Sequence, residues 1–251
     1  MSYSFLARTK LLLGEKALEH FSNKKVLIVG LGGVGAYAAE MLCRAGIGKL
    51  TLVDGDKIDT SNINRQLPAL NSTVGKYKTE ILKTRFKEIN PEAEIITVTE
   101  FIKEKRIPEI FEENFDFAVD AIDVLSHKVS LIASAIESKT EIVSAMGSGG
   151  KLDPSMVQVA DIEKTYNCKL AKMVRKRLHK RNIYSGFKAV FSPETVQGEI
   201  IRAECTGISD EEQGFKNAMS TVGTISYMPA LFGCFCASVV INSFKTELDR
   251  E

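Results

Sequence analysis

The chain has no Cys-x-x-Cys pair and no excess of charge of either sign, and each gap removes a class of protein. Its five cysteines, Cys43, Cys168, Cys205, Cys234 and Cys236, are odd in number and lack the spacing of a disulfide framework or a tetrahedral zinc site. Neither staple is expected. With 33 basic and 32 acidic residues the formal charge is +1, so no global field attracts nucleic acid. Any basic surface must be local, and no DNA partner is expected. No charged-then-apolar leader opens the chain, and there is no internal repeat or low-complexity stretch. A reducing cytoplasm is the expected location. Of the three histidines, His20 and His127 have no paired site in the sequence, and His179 lies in a basic run.

What is present is a core large enough for one compact domain, since 251 residues approach the upper size for a single hydrophobic interior. Apolar runs alternate with helical periods. Strands are predicted near 25–30, 49–54, 94–99, 115–120 and 141–145, with helices near 34–45, 75–89, 105–113 and 125–138. This is an α/β pattern: a Rossmann-like, mostly parallel sheet with helices on both faces. The core spans 1–150. An extension, 151–251, holds a hairpin or extra strands at 151–161, a basic helix at 164–181, short strand-like pieces at 187–201 and a loop at 202–219. From Asn217 to Phe244 there is no charge, long enough for a membrane span. Gly223, Pro229 and Gly233 dilute its apolarity, which favours a buried or subunit-interface helix and leaves membrane association open.

The chemistry concentrates after the first strand. Val26–Val29 runs into Gly30, Gly32, Gly33 and Gly35, a Gly-x-Gly-x-x-Gly turn opening a helix, so backbone N–H groups and the positive helix end converge on one anion site. Asp54 closes the second strand where an acid receives a ribose hydroxyl, which suits NAD and ATP equally. Asp56 follows in the loop. The polar cluster Asn62, Asn64, Arg65 and Gln66, with Lys76 and Lys78 beyond it, separates the two cofactors. Cations beside the phosphates stabilise charge developing on leaving pyrophosphate and have no use in hydride transfer. Asp120 and Asp123 close the fourth strand, and carboxylates at that edge suit Mg²⁺ on a triphosphate. Asp123 is the candidate metal ligand and Asp120 an inward-facing structural acid, with the two roles exchangeable.

The ordered set Gly30-x-Gly-Gly-Val-Gly35, Asp54-x-Asp56, Asn62-x-Asn-Arg-Gln66, Gly75-x-x-Lys78, Asn90-Pro91 and Asp120-x-x-Asp123 resembles the ThiF/MoeB/ubiquitin-activating adenylyltransferase superfamily. That resemblance implies that the glycine turn, Gly33 included, holds ATP, that Asp54 holds the ribose, Lys78 the phosphates and Asp123 the Mg²⁺, and that Arg65 reaches the site of a partner subunit in a homodimer. Arg8-Thr-Lys-Leu-Leu-Leu-Gly-Glu15, Gly147-Ser-Gly-Gly-Lys-Leu-Asp-Pro154 and Val190-Phe-Ser-Pro-Glu194 are similar to one branch, the tRNA threonylcarbamoyladenosine dehydratases. The branch implies an ATP-dependent, AMP- and pyrophosphate-forming enzyme that activates the modification's carboxylate beside the anticodon and lets it cyclise. Arg8 joins the phosphate contacts. A monovalent cation in the Gly147–Gly150 loop and a sulfur-relay or cysteine-desulfurase partner are left open. The alternative is an adenylyltransferase for a ubiquitin-like sulfur carrier.

A tRNA substrate calls for a basic surface. Lys169 to Arg181 carries seven Lys/Arg and no acid, with Leu170, Met173, Val174 and Leu178 at helical spacing. Lys172, Arg175, Lys176, Arg177, Lys180 and Arg181 are the candidate tRNA contacts.

Overall fold

The computed structural model describes residues 4–102, 106–195 and 222–250. Among these, seven strands form one sheet in the order β3-β2-β1-β4-β5-β7-β6. They are β1 (Lys25–Val29), β2 (Lys49–Val53), β3 (Glu94–Val98), β4 (Phe117–Asp120), β5 (Glu141–Ala145), β6 (Gln158–Asp161) and β7 (Lys188–Phe191). Every pairing is parallel except that of β6 with β7 at the edge. Val26, Leu27 and Ile28 of β1 are wholly buried, as expected of a parallel strand covered on both faces. Because β1 lies between β2 and β4, the chain leaves the sheet's middle in opposite directions, and a crevice opens at the carboxyl ends of β1 and β4.

The helices are α1 (Ala7–Leu13), α2 (Glu15–Ser22), α3 (Gly35–Ala45), α4 (Lys78–Ile89), α5 (Ile107–Ile110), α6 (Leu125–Glu137), α7 (Lys169–His179) and α8 (Tyr227–Leu248). One face of the sheet carries α3, α4 and α8, with Leu42, Phe86 and Phe232 in its core. On the other, α5, α6 and α7 bury Ile107, Leu131, Ile132 and Val174. The apolar segment divides by face. Met228, Phe232, Cys236, Val240 and Phe244, four residues apart, form a buried stripe on α8, and Leu231, Phe235 and Val239 are half-buried. The stripe lies against α3, which a glycine makes possible: a Cβ on Gly233 would stand 2.5 Å from the Val34 carbonyl oxygen.

Several expected bounds move for local reasons. The helix expected from 75 begins at Lys78, because Gly75 holds a left-handed φ of 85° that no α-helix contains. Of the helix expected at 105–113, α5 forms with Pro108 in its first turn, followed by a 3₁₀ turn over Phe111–Glu113. Of the hairpin or extra strands expected within 151–161, one extra strand forms: Pro154–Met156 is a 3₁₀ turn, and β6 pairs with β7. The basic helix is shorter than 164–181, since Ile162–Lys164 is a separate turn capped by Asp161. The loop expected at 202–219, Cys205 and the start of the uncharged run fall outside the described residues, as does the rest of the 187–201 expectation beyond 195.

Candidate active site

The glycine turn is held by packing at three of its four glycines. Gly30 has φ 88°, and a Cβ there would stand 2.7 Å from the Ala121 carbonyl oxygen. On Gly35 it would meet the Gly30 carbonyl oxygen at 1.7 Å, and on Gly33 the Pro229 side chain of α8 at 2.8 Å. Gly32 alone has room, with Gln66 Nε2 at 3.8 Å from its Cβ position as the nearest neighbour. The free space of the turn therefore lies at Gly32, beside the N-terminus of α3, where a helix offers unpaired amides and positive potential.

The end of β2 reaches under this turn. Asp54 is nearly buried and accepts the Leu31 amide at 2.6 Å and the Asp56 amide at 2.7 Å. Burial pushes its carboxyl above the ordinary value, against the pull of Lys78 and of those two amides. A carboxylate has about four lone-pair sites, so two remain for a diol. Lys78, at the first position of α4, is 4% exposed rather than the surface lysine its polarity suggests. Its Nζ lies 2.7 Å from Asp56 Oδ2 and 3.9 Å from Asp54 Oδ2.

The segment 62–66 forms the next wall. Arg65's carbonyl would lie 3.3 Å from a Cβ on Gly33, which places the cluster directly against the turn. Its members divide. Asn62 closes a capping box with Asp59, Asn64 donates to the Thr224 carbonyl at 3.0 Å, and the Arg65 guanidinium donates to the Ser61 carbonyl and Asn64 Oδ1, each at 2.9 Å. Gln66 is different: it is buried, and its Oε1 has no partner. The amide nitrogen is the atom next to Gly32, and the orphaned oxygen of the same amide is a place for a ligand's donor.

Asp120 and Asp123 part at the end of β4. Asp120 is wholly buried, with Oδ2 bound to Lys128 Nζ at 2.7 Å and Ser144 Oγ at 2.5 Å, and Oδ1 accepting the Ile122 amide at 3.0 Å. Sequence reasoning missed Lys128 and Ser144; their only signal was the single Lys or Arg of the helix 125–137 and a serine in a buried strand. Asp123 is exposed in the loop between β4 and α6. No cluster of three or more His, Cys, Asp or Glu suited to a metal ion occurs among the described residues. One free carboxylate at the crevice fits a Mg²⁺ that takes its other ligands from phosphates and water.

Other candidates lie apart. Arg8 is exposed on α1, which follows Leu6, and Leu6 fits against Gly46 at the far end of α3 from the glycine turn. Lys172, Lys176 and Arg177 on α7, and Lys180 and Arg181 just past its end, are exposed. Arg175 is a correction: it is half-buried and donates to the Thr165 and Ile162 carbonyls and to Thr165 Oγ1, so it leaves the outward face. Met173 also turns outward, and Ala171 takes its expected place in the buried stripe beside Val174 and Leu178. Cys43 and Cys236 are buried thiols pushed up to about 12 by desolvation, Cys168 is buried at the start of α7, and none is a reactive thiol of the site. The Gly147–Gly150 loop is tied to the approach of α8 by the Gly150 amide on the Gly223 carbonyl at 2.8 Å.

A switch-point crevice, a glycine turn at a helix N-terminus, a sheltered acid for a diol and a buried ammonium define a nucleotide-binding doubly wound α/β protein. The chain belongs to the ThiF family, whose model matches residues 6–250. It is 35% identical over 245 residues to the tRNA threonylcarbamoyladenosine dehydratase of Bacillus subtilis, covering 97% of this chain and 95% of that one. The Escherichia coli protein of that name is 40% identical over 255 residues, covering 97% and 94%. The crystal structure of the E. coli dehydratase in complex with ATP superposes with a TM-score of 0.85 at 31% identity, over 99% of this chain and 97% of that one.

Proposed function

We propose that this protein is an ATP-dependent tRNA threonylcarbamoyladenosine dehydratase. The observation that carries the proposal is the Gln66 amide, its nitrogen next to Gly32 and its Oε1 buried and unpartnered, in a chain similar over nearly its whole length to dehydratases, one of them solved with ATP.

The substrate carboxylate attacks the α-phosphate, pyrophosphate departs, and the acyl-adenylate then carries a good leaving group. A nucleophilic atom of the same modification attacks the acyl carbon, AMP departs, and one water is lost overall. Because closure is intramolecular, proximity supplies much of the rate and no enzyme nucleophile is needed, which agrees with the burial of Cys43, Cys168 and Cys236. Gly30, Gly32, Gly33 and Gly35 seat the phosphates, with Gln66 accepting from the nucleotide. Asp54 takes the ribose diol on its free lone pairs. Lys78, held beside Asp56, meets the phosphates with a compact charge. Asn62 and Asn64 act mainly by keeping the wall formed. Asp123 is the residue that would hold Mg²⁺, and the ion would supply positive charge against the phosphates. Arg65, already spent on local carbonyls in its own chain, and Arg8, on the far side of α3, belong to a homodimer arrangement. The apolar side chains of Leu11 and Leu12, 88% and 81% exposed, support a second copy covering α1. The basic face of α7 meets tRNA phosphates, and the enzyme works in the cytoplasm, with any sulfur-relay protein an accessory.

The test is incubation with ATP and tRNA carrying threonylcarbamoyladenosine, followed by mass analysis of the nucleosides and assay of AMP. Loss of one water with stoichiometric AMP is expected. Adenylation only of a small carrier protein ending in Gly-Gly would replace this proposal with the sulfur-carrier reading.

A further inference from the structure

Lys128 is the largest wholly hidden polar side chain among the described residues, and no step of the proposed reaction uses it. Its ammonium has three partners: Asp120 Oδ2 at 2.7 Å, the Ala145 carbonyl at 2.9 Å and Ser144 Oγ at 3.3 Å. All three of its donors are thereby satisfied. Lysine and serine converge on the same carboxylate oxygen, which leaves Oδ1 of Asp120 turned to the Ile122 amide at 3.0 Å. The carboxylate thus ties α6 and β5 to the loop that carries Asp123.

The same loop is a wall of the nucleotide turn. The Ala121 amide donates to the Val29 carbonyl at 2.9 Å, and the Ala121 carbonyl oxygen is the atom that leaves Gly30 no room for a Cβ. A buried ion pair contributes little net stability compared with apolar groups of the same volume, because desolvation of both charges offsets their attraction. What an apolar pair would not supply is direction. It would leave the Ile122 amide without its acceptor and the residues leading to Asp123 without their anchor.

Taking the nucleotide-binding reading as given, we propose that Lys128, acting through Asp120 and the Ile122 amide, is a positioning residue that sets the Asp123 carboxylate at the mouth of the crevice. Ser144 shares the task. Neither touches the substrate.

The test uses the full chain and three readouts: hydrogen exchange of the Ile122 amide without nucleotide, equilibrium binding of ATP with and without Mg²⁺, and pyrophosphate release. In Lys128→Met the Ile122 amide is expected to exchange about tenfold faster or more while amides of β1 and α3 keep their protection. Metal-free ATP binding should stay within about threefold, and the gain in affinity on adding Mg²⁺ should vanish. In an Asp123→Ala background Lys128→Met should remove no further activity, because both act on one contact. Lys128→Arg should restore part of each readout. Additive losses, or faster exchange spread evenly over the sheet, would overturn the proposal. Should Lys128→Met fail to fold, Ser144→Ala decides: a smaller change in the same direction supports the proposal, and unchanged Ile122 exchange refutes it. A wild-type chain that binds no ATP would refute the nucleotide reading, while the exchange measurement would still report on the anchor.

Discussion

Asp123 and Asp120 are three residues apart, identical in chemistry, and opposite in use. One is exposed at a crevice and the other is enclosed by a lysine, a serine and an amide. Replacing Asp123 by alanine is expected to leave the fold and metal-free ATP binding intact and to slow pyrophosphate release roughly 100-fold or more, the loss of several kcal/mol of charge stabilisation. A pyrophosphate assay beside a thermal melt checks this; normal release would remove Asp123 from the metal site. Gln66→Ala removes an unpaired acceptor, so it should weaken ATP binding with little change in Tm, measured by calorimetric titration. Gly33→Ala should do broader damage. Its Cβ would press on Pro229 at 2.8 Å and force α8 from the turn, lowering Tm as well as nucleotide affinity. Which residue types belonged at these positions was legible in the sequence, since glycine spacing and an acid after a strand are local patterns. Which acid was free to bind was not, because Lys128 and Ser144 reach Asp120 only after α6 and β5 have packed.

At the scale of elements, α3 and α4 are joined by Glu40, whose side chain is 6% exposed. Burial alone would raise its carboxyl, but Arg85 Nε at 2.5 Å and Arg44 NH2 at 2.9 Å outweigh that and hold it below the usual 4.5. A depressed folded pKa gives stability that is fully present above the unfolded value near 4.5 and is lost as pH falls through the folded one. Acid-induced melts should therefore show wild type losing its advantage over Glu40→Gln as pH drops below about 4.5, with the largest difference near neutrality. A constant difference across pH 3–7, on the order of that range, would exclude this linkage. The same scale governs α7. Lys172, Lys176 and Arg177 face outward, so neutralising all three should weaken tRNA binding and flatten the salt dependence by about two to three units of slope. Neutralising Arg175 should instead lower Tm, since its guanidinium is spent on the Thr165 and Ile162 carbonyls. The sequence showed a basic amphipathic helix, but a single i,i+4 pattern did not say which arginine of the seven charges would be drawn under the surface by carbonyls from the preceding turn.

For the whole molecule, α8 is the joint between the repetitive half and the extension. Its buried stripe runs along α3, its Pro229 touches Gly33, and its approach segment holds Asn64 and Gly150. Gly233→Ala places a methyl 2.5 Å from the Val34 carbonyl and is expected to cost about 1–3 kcal/mol, read as a lower Tm, and to raise the ATP concentration needed for half-saturation, since Val34 adjoins the turn. An unchanged Tm would mean that α8 slides freely on α3. By itself the sequence determined the alternation of the first five strands with the helices between them, the glycine turn with its acid and lysine, and the family resemblance, because each is written in residues near one another along the chain. Only the tertiary structure decided that the uncharged C-terminal run lies half-buried on α3, that β6 turns back against β7, and that Lys128 stands guard over Asp120. These depend on groups distant in sequence meeting across a packed interior, where the partner present, and no property of the residue alone, decides whether a charge is spent or free.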